Sequence, residues 1–443
     1  VLDFLSECPE EALREHPAAL LVLMRRMFTW RQIPRMTELK ELLLRSIDEH
    51  PGMPDIERGN LLGECDLIQS FLCYNDISAM SRLHRSASLR MSRPAISIQS
   101  SGGWTFGSPS VLMMYYRSPG GLDDELAEMD ECMPHYYKVT CGHGLGAETI
   151  MRAEAAFMQA RFTDAQIALE RAYAQIAGNG QENMTLCCNF LAHRLSLFSD
   201  ALPRYTENER YEALLSRHDA SWIHIWSAIN AYYYAVLGRA DRIPPVFAEH
   251  RLGTINFLAP GKPMMAMIEN QVYLAQGAYA AVIGRSEGLF AMCEAMHYAL
   301  VALHVRIQTA AAYEMLGKRE EACTLLSRAL GDAEPDGFML PFAENYGYLK
   351  SLLEDMPQIA QLGAILEQRR AKTDYPAVFS SLTPREREIA MLISRRLSNR
   401  EIAERLFLSE GSVKQYLNQL YAKLSIEGEA RTKRRRLGEL AKS

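Results

Sequence analysis

The sequence predicts an all-α protein, an α-solenoid of paired helices followed by a small helical bundle at its C-terminal end. Short turns built on small residues recur at a period near 40 residues through much of the chain. Between Glu148 and Leu330, β-branched runs are few, and Ala, Leu, Glu and Arg stand at helical spacing. Residues 382–443 carry three helix-start signals in close succession.

Bulk properties are consistent with this division. A chain of 443 residues exceeds one ordinary compact domain, so two or three units or an elongated array are expected. With 48% apolar and 23% charged residues it can bury a core. No run of eighteen apolar residues occurs, which argues against a membrane span. Nine cysteines, an odd number without Cys-x-x-Cys spacing, point to a reducing cytoplasm rather than a disulfide framework. The opening Val1-Leu2-Asp3-Phe4 has no signal-peptide pattern and reads as the start of a piece of a longer protein. Charge is divided unevenly. Residues 380–443 hold 14 Lys and Arg against 8 Asp and Glu, a net of +6; residues 1–379 hold 34 against 46, a net of −12. A basic end on an acidic body suggests that the end meets a polyanion and the body does not.

The repeat is read from its turns. Gln159-Ala160-Arg161-Phe162, Leu237-Gly238-Arg239, Gln276-Gly277-Ala278-Tyr279 and Leu316-Gly317-Lys318-Arg319 each place a small residue at a helix end. A polar or aromatic step follows, then a new helix. Gly238 to Gly277 is 39 residues and Gly277 to Gly317 is 40; Ala160 to Gly238 is 78, with Ser199-Asp200-Ala201 at its midpoint. Fainter echoes stand at Gly121-Leu122-Asp123 and Asn75-Asp76-Ile77. A fixed period with two helices per unit indicates an α-solenoid of seven or eight repeats between Pro17 and Tyr348. It resembles the tetratricopeptide-like superhelix. A non-repetitive helical domain with regular hairpins is the alternative.

The expected organisation is a repeat body over residues 1–368, a linker over 369–381 and a DNA-binding domain over 382–443. In that domain Thr383-Pro384-Arg385-Glu386 sets out a capping box with Pro at the first helical position. Ile389, Leu392 and Ile393 form an inward stripe. Ser398-Asn399-Arg400-Glu401 repeats the box ahead of Ile402, Ala403 and Leu406. Ser409 caps a third helix whose Val413, Leu417, Leu420 and Leu424 share one buried face. Opposite them lie Gly411, Lys414, Gln415 and Asn418, suited to close backbone approach, phosphate oxygens and base edges. Two short capped helices with a tight turn, the second polar outside, describe a helix-turn-helix.

Leu382-Thr383-Pro384-Arg385-Glu386-Arg387-Glu388, Leu397-Ser398-Asn399-Arg400-Glu401-Ile402-Ala403 and Leu408-Ser409-Glu410-Gly411-Ser412-Val413-Lys414 together resemble the signature of LuxR/GerE-type DNA-binding domains, and the likeness runs on through Leu420-Tyr421-Ala422-Lys423-Leu424. The resemblance implies a four-helix domain that binds double-stranded DNA as a homo-oligomer, activates transcription and meets RNA polymerase. It implies Lys414, Gln415 and Asn418 as base-reading positions. Ser398, Asn399, Arg400, Ser412 and Lys423 are implied at the phosphate backbone, with Thr383 and Val413 in the same DNA-contacting set. Two departures stand out: Tyr416 takes a position where many members have His, and the fourth helix, the family's usual dimer surface, begins Arg431-Thr432-Lys433-Arg434-Arg435-Arg436. That basic run reads either as a phosphate contact or as a solvated tail. A helical repeat ahead of such a domain resembles the MalT-like class of large regulators. In that class the superhelix senses a small inducer and an ATP-binding module lies upstream. No phosphate-binding Gly-x-x-x-x-Gly-Lys-Ser/Thr occurs here, so no cofactor is expected in this chain.

Cys132, His135, Cys141 and His143 lie within twelve residues, but their spacing is not that of common zinc sites, and loop or core roles are favoured. A glycine- and proline-rich stretch, residues 101–109, interrupts the helical pattern and is followed by the apolar run 112–116. Its Trp104, Phe106, Tyr115 and Tyr116 are the candidate effector contacts, since loops on a rigid frame carry binding groups. Trp222, Trp226 and Tyr232-Tyr233-Tyr234 fall at helical spacing and read as core. No nucleophile–base constellation is visible, so the expected function is a regulator that senses an effector or partner, not an enzyme. A repeat scaffold that tethers another protein to DNA is the alternative.

Overall fold

The computed structural model describes residues 8–199, 212–213, 215, 220–255, 257–373, 379, 382, 384–394, 397–406 and 408–440. Among these residues every regular element is helical, as the spacing predicted. None of these helices is long and apolar enough to cross a membrane. Two compact units divide the chain, Val1–Gly363 and Ala364–Ser443.

The first unit opens with α1 (Glu10–Arg14), α2 (Pro17–Thr29), α3 (Ile33–Asp48), α4 (Asp55–Ser70) and α5 (Ile77–Arg90). The short α6 (Val111–Tyr115) precedes α7 (Leu122–Thr140), α8 (Ala147–Met158), α9 (Phe162–Ile176) and α10 (Glu182–Phe198). Then come α11 (Ala220–Val236), α12 (Pro245–Ala248), α13 (Lys262–Ala275), α14 (Tyr279–Ala295), α15 (Ala299–Met315) and α16 (Arg319–Ala333). The series closes with α17 (Leu340–Glu344) and α18 (Tyr346–Leu353), and α19 (Pro357–Thr373) runs across the division between the two units. Neighbours in sequence pack as hairpins, α2 on α3, α4 on α5, α8 on α9 and α15 on both α14 and α16. The last helix runs to Thr373, into the stretch expected as a linker; residues 374–378, 380 and 381 lie outside those described, as do Asp200 and Ala201 at the repeat midpoint.

The turns that marked the period share one backbone motif. After α8, Gln159 caps the helix and Ala160 is left-handed at φ 59°. Its N–H donates to Phe157 O at 2.8 Å, and the Arg161 N–H donates to Ala156 O at 2.8 Å. This is a Schellman ending, which satisfies two carbonyls that the helix leaves unpaired. Gly238, Gly277 and Gly317 hold the same position at φ 73°, 75° and 75°. Arg31 and His297, at 59° and 53°, hold it too. A 17-residue helix and a three-residue turn make a 20-residue step through Gly277, His297 and Gly317. Two steps make the period. Only every second turn was visible in the sequence, because a His in the left-handed position carries no local signature.

In a simple solenoid each repeat touches only its neighbours; here the path also meets itself. All six residues from Val111 to Tyr116 are buried, and α6 packs on both α8 and α15. Its N-terminus is satisfied by Ser110 Oγ, accepting from Met113 N–H at 3.1 Å, and by Glu154 Oε2, accepting from Leu112 N–H at 2.7 Å. At the other end Asn75 Nδ2 donates to Met114 O at 2.9 Å and also reaches Met296 O, while Ala299 N–H donates to Tyr116 O at 3.2 Å. Further out, the buried Glu344 carboxylate accepts from Arg194 Nε at 2.8 Å, Arg194 Nη2 at 2.9 Å and Tyr232 Oη at 2.7 Å. The Arg194 guanidinium lies over the rings of Phe157, Phe190 and Tyr232.

Arg194 and Glu344 are 3% and 0% exposed, so removing one charge strands the other in a dry interior. Glu344→Gln is therefore expected to cost about 3–5 kcal/mol, read from urea unfolding. Replacing the pair together, Arg194→Met with Glu344→Leu, is expected to recover most of that loss.

Candidate nucleic-acid interface

The second unit holds α20 (Pro384–Ser394), α21 (Asn399–Leu406), α22 (Glu410–Lys423) and α23 (Ala430–Leu440). Their common core contains Ile389, Ile393, Ile402, Leu406, Val413, Leu417, Leu420 and Leu437, with Leu424 partly buried against it. The inward residues expected from the sequence are those found inside. Each burial of a large aliphatic side chain contributes about 1.5–3 kcal/mol, so four short helices are held by tertiary packing rather than by propensity.

Capping fixes where the helices begin. Ser398 N–H donates to Glu401 Oε2 at 2.6 Å and Glu401 N–H donates to Ser398 Oγ at 3.3 Å, the reciprocal capping box. The Ser398 hydroxyl and N–H hold the Glu401 carboxyl below the usual range. Ser409 Oγ accepts from Ser412 N–H at 3.0 Å and starts α22. α22 ends in the same Schellman turn as the body, with Ser425 left-handed at φ 50° and Ile426 N–H on Tyr421 O at 2.8 Å.

With Val413, Leu417 and Leu420 turned inward, the opposite face of α22 exposes Gly411, Lys414, Gln415 and Asn418 together. The amides can both donate and accept, and the lysine supplies a cation beside them. A helix of this width fits the DNA major groove, where such side chains distinguish bases. The other residues singled out in the sequence lie around it with varied partners. Ser398 and Arg400 are exposed at the start of α21, and Ser412 is half-buried under its cap. Asn399 Oδ1 accepts from Arg434 Nη1 at 2.6 Å. Val413 has no exposed surface; it seats the helix and does not reach outward. The Lys423 ammonium donates to Glu386 Oε2 at 2.8 Å. Thr383 lies outside the described residues.

Sequence reasoning missed two residues. Glu386 was read as half of a capping box, yet it is 3% exposed and binds Lys423, tying α20 to α22. Arg434 sits in the basic run, but it turns inward to Asn399 and to the Leu397 carbonyl, tying α23 to the start of α21. Leu437 in the core makes that run a packed helix, which leaves Arg431, Arg435 and Arg436 exposed. An Arg three residues before a Leu was the available signal.

In the body, Trp104 and Tyr115 are brought together as packing, while Tyr116 and Phe106 turn to other partners. Trp104 stacks on Tyr115, with ring centroids 5.3 Å apart, and covers Gly144, where any side chain would collide with the indole. Tyr116 Oη donates to Asp336 Oδ2 at 2.5 Å. These three are buried, whereas Phe106 lines a cavity together with Trp222. Trp226 and Tyr232 are core. The Cys–His group is dispersed: Cys132 meets His84 Nδ1 at 3.0 Å, while His143 Nδ1 meets Tyr136 Oη at 2.7 Å. Burial lowers His84 to about 3 and His143 to about 4, so both imidazoles are neutral at pH 7.

Comparison with known proteins fits this geometry. Residues 380–432 match the family described as bacterial regulatory proteins, luxR family. An HTH-type transcriptional regulator of Mycobacterium tuberculosis is 42% identical over 64 residues, 14% of this chain and 7% of that protein. The DNA-binding transcriptional activator DevR/DosR of the same species is 39% identical over 64 residues, 14% of this chain and 30% of that one. A nitrate/nitrite response regulator protein homolog of Haemophilus influenzae is 36% identical over 102 residues, 21% of this chain and 46% of the relative. The C-terminus thus carries a LuxR-family helix-turn-helix domain. This chain spans less than half the length of each of these relatives.

The two faces of α22 are expected to separate in stability measurements. Leu417→Ala empties the core side and is expected to cost about 2–5 kcal/mol. Asn418→Ala changes an exposed position and is expected to stay within about 0.5 kcal/mol of the parent. Thermal melts of the two variants make the comparison.

Proposed function

We propose that this chain is a DNA-binding transcription regulator of the cytoplasm whose helical body senses an effector and controls operator binding by its C-terminal unit. The observation that carries this reading is the outer face of α22, with Lys414, Gln415 and Asn418 exposed on a helix seated by its own core. The luxR-family match over the same residues and the net charge of +6 on residues 380–443 support it. In this reading residues 1–368 sense, 369–381 join and 382–443 bind double-stranded DNA.

Gln415 and Asn418 read base edges, Lys414 serves a phosphate or a guanine, and Ser398, Asn399, Arg400 and Ser412 approach the phosphates. The exposed arginines of α23 extend that electrostatic surface. The regulator acts as a homo-oligomeric activator that meets RNA polymerase. It resembles the MalT-like class, with a tetratricopeptide-like body. An effector that prefers one arrangement of the body shifts the fraction of molecules competent for DNA, so control is linkage.

The unit 364–443 is expected to shift DNA in a gel by itself, with affinity falling as salt rises. Absence of binding at low salt, or binding indifferent to salt, would overturn the DNA-binding reading. In the intact chain Asn418→Ala is expected to cost about 1–3 kcal/mol on the preferred operator and little on random DNA. Arg400→Ala is expected to weaken both sequences alike and to flatten the salt dependence by about one phosphate.

A further inference from the structure

We propose that the body holds a binding site for a small planar aromatic acid, between the loop of residues 103–107 and the residues 246–255, 257 and 258. The proposal deepens the effector-sensing part of the reading above and rests on it for its regulatory meaning. A cavity of about 600 Å³ lies there, in the size range of small-molecule sites. Phe106, Trp222 and Phe257 supply aromatic walls, and Ile225, Val246 and Leu258 add aliphatic surface. Leu258 is 46% exposed, an apolar side chain left without full cover at the edge of the site.

The loop that forms one wall is built with strain. Phe106 is left-handed at φ 51° and Gly107 follows at 88°, and a bulky residue in that region is an outlier. Strain of this kind persists only where surrounding contacts hold it, and it clusters at ligand sites. Here the contacts are visible. Asn183 Oδ1 accepts from the N–H groups of Trp104 and Thr105 at 2.8 and 3.0 Å, and the bare Cα of Gly261 lets its strand of chain pass close to the Phe106 and Gly107 carbonyls. Asn183 is thereby occupied, so its amide is not the recognition group.

Polarity selects the ligand's charge. Arg251, His224 and Thr254 line the cavity, and no carboxylate does among the described residues. Burial lowers the His224 pKa, so at neutral pH its ring is neutral, with one donor and one acceptor. Arg251 is the cation. Its partner Glu249, with Arg251 Nε at 2.9 Å from Oε2, is 59% exposed against 55% for Arg251. A pair so open to water contributes about 0–1 kcal/mol, so a ligand carboxylate can take the guanidinium from it. A ligand cation would meet the Arg251 guanidinium with no carboxylate in the lining to offset it among the described residues, and an aliphatic acid would leave the three rings unmatched.

Titration of the intact chain with 1-naphthoate, 1-naphthamide and 1-naphthylmethylamine, followed by calorimetry, tests the site. The acid is expected to bind saturably and about tenfold more tightly than the amide, the factor for one hydrogen bond to a charged group; the amine is expected to bind weakest. Arg251→Gln, at an exposed position that leaves the fold intact, is expected to bring the acid down to the amide's affinity without changing the amide. Phe257→Ala is expected to weaken all three. Equal binding of amine and acid, an unchanged preference in Arg251→Gln, or no saturable binding by any of the three would overturn the proposal. Operator affinity with and without the bound acid is a separate readout. An acid that binds here and leaves operator affinity unchanged would sink the sensing reading and keep the site; failure to bind would remove the site and leave the DNA-binding reading standing.

Discussion

Burying a short helix end to end is the constraint on which the body depends. Six consecutive residues, Val111 to Tyr116, lose nearly all contact with water, which brings a large apolar gain. Yet a five-residue helix satisfies almost none of its own backbone groups, and each buried orphan costs about 1–3 kcal/mol. The surrounding helices resolve the conflict by supplying partners from distant repeats: Glu154 at one end, Asn75 and the Ala299 N–H at the other. Glu154 is pushed up to about 7 by burial, with the N–H groups it accepts from pulling the other way. Asn75 and Ala299, 224 positions apart, are thereby tied to one short helix, a link that nearest-neighbour repeats alone would not make.

The Arg194–Glu344 pair follows the same logic one layer out. A buried ion pair is weak evidence for stability in itself, because desolvation offsets most of its Coulomb energy. Its geometric effect is clearer. Three donors converge on one carboxylate from α10 and α11, and aromatic rings from α8, α10 and α11 cover the guanidinium. Sliding α10 or α17 by one turn would leave a charge unpaired in a dry core. Asp336 plays a similar part near α6, accepting from Tyr116 Oη and from the N–H groups of Gly120 and Leu122.

Local chemistry was legible in the sequence and distant pairing was not. The Schellman turns at Gly238, Gly277 and Gly317 are legible because glycine signals the left-handed conformation, and the one at Ala160 because it falls on their period; Arg31 and His297 adopt it unannounced. The capping residues Ser398, Glu401 and Ser409 were legible because a cap depends on spacing alone. The buried face of α22 followed from helical period, and its exposed face followed from what was left. By contrast, Glu386 fits a capping box on spacing, and only the fold brings Lys423 within 2.8 Å of it. Trp104, Tyr115 and Tyr116 carry the composition of a ligand-contacting loop, but composition cannot say whether a ring meets a ligand or, as here, Asp336 and Gly144. Trp222, set aside as core, lines the cavity because a residue at core spacing can still border a void.

The C-terminal unit has a hydrophobic core of its own, closed by Leu437 and by the ties from Arg434 and Lys423. The face of α22 that exposes Lys414, Gln415 and Asn418 is therefore set by local packing, and in the proposed regulator an effector has no need to fold it. Control then acts on which molecules can present that face to an operator. Shifting such an equilibrium tenfold takes about 1.4 kcal/mol of differential affinity between two states of the body, whatever the effector's absolute affinity. A rigid interior alone offers no second state in which to store that difference. In the proposed regulator the turn at Phe106 and Gly107, left-handed at both residues, supplies that state, because a loop kept in the left-handed region by neighbouring contacts relaxes when those contacts change. A ligand seated against that loop stabilises one arrangement by its own contacts, and in the proposed regulator the energy that favours it is available to the operator equilibrium.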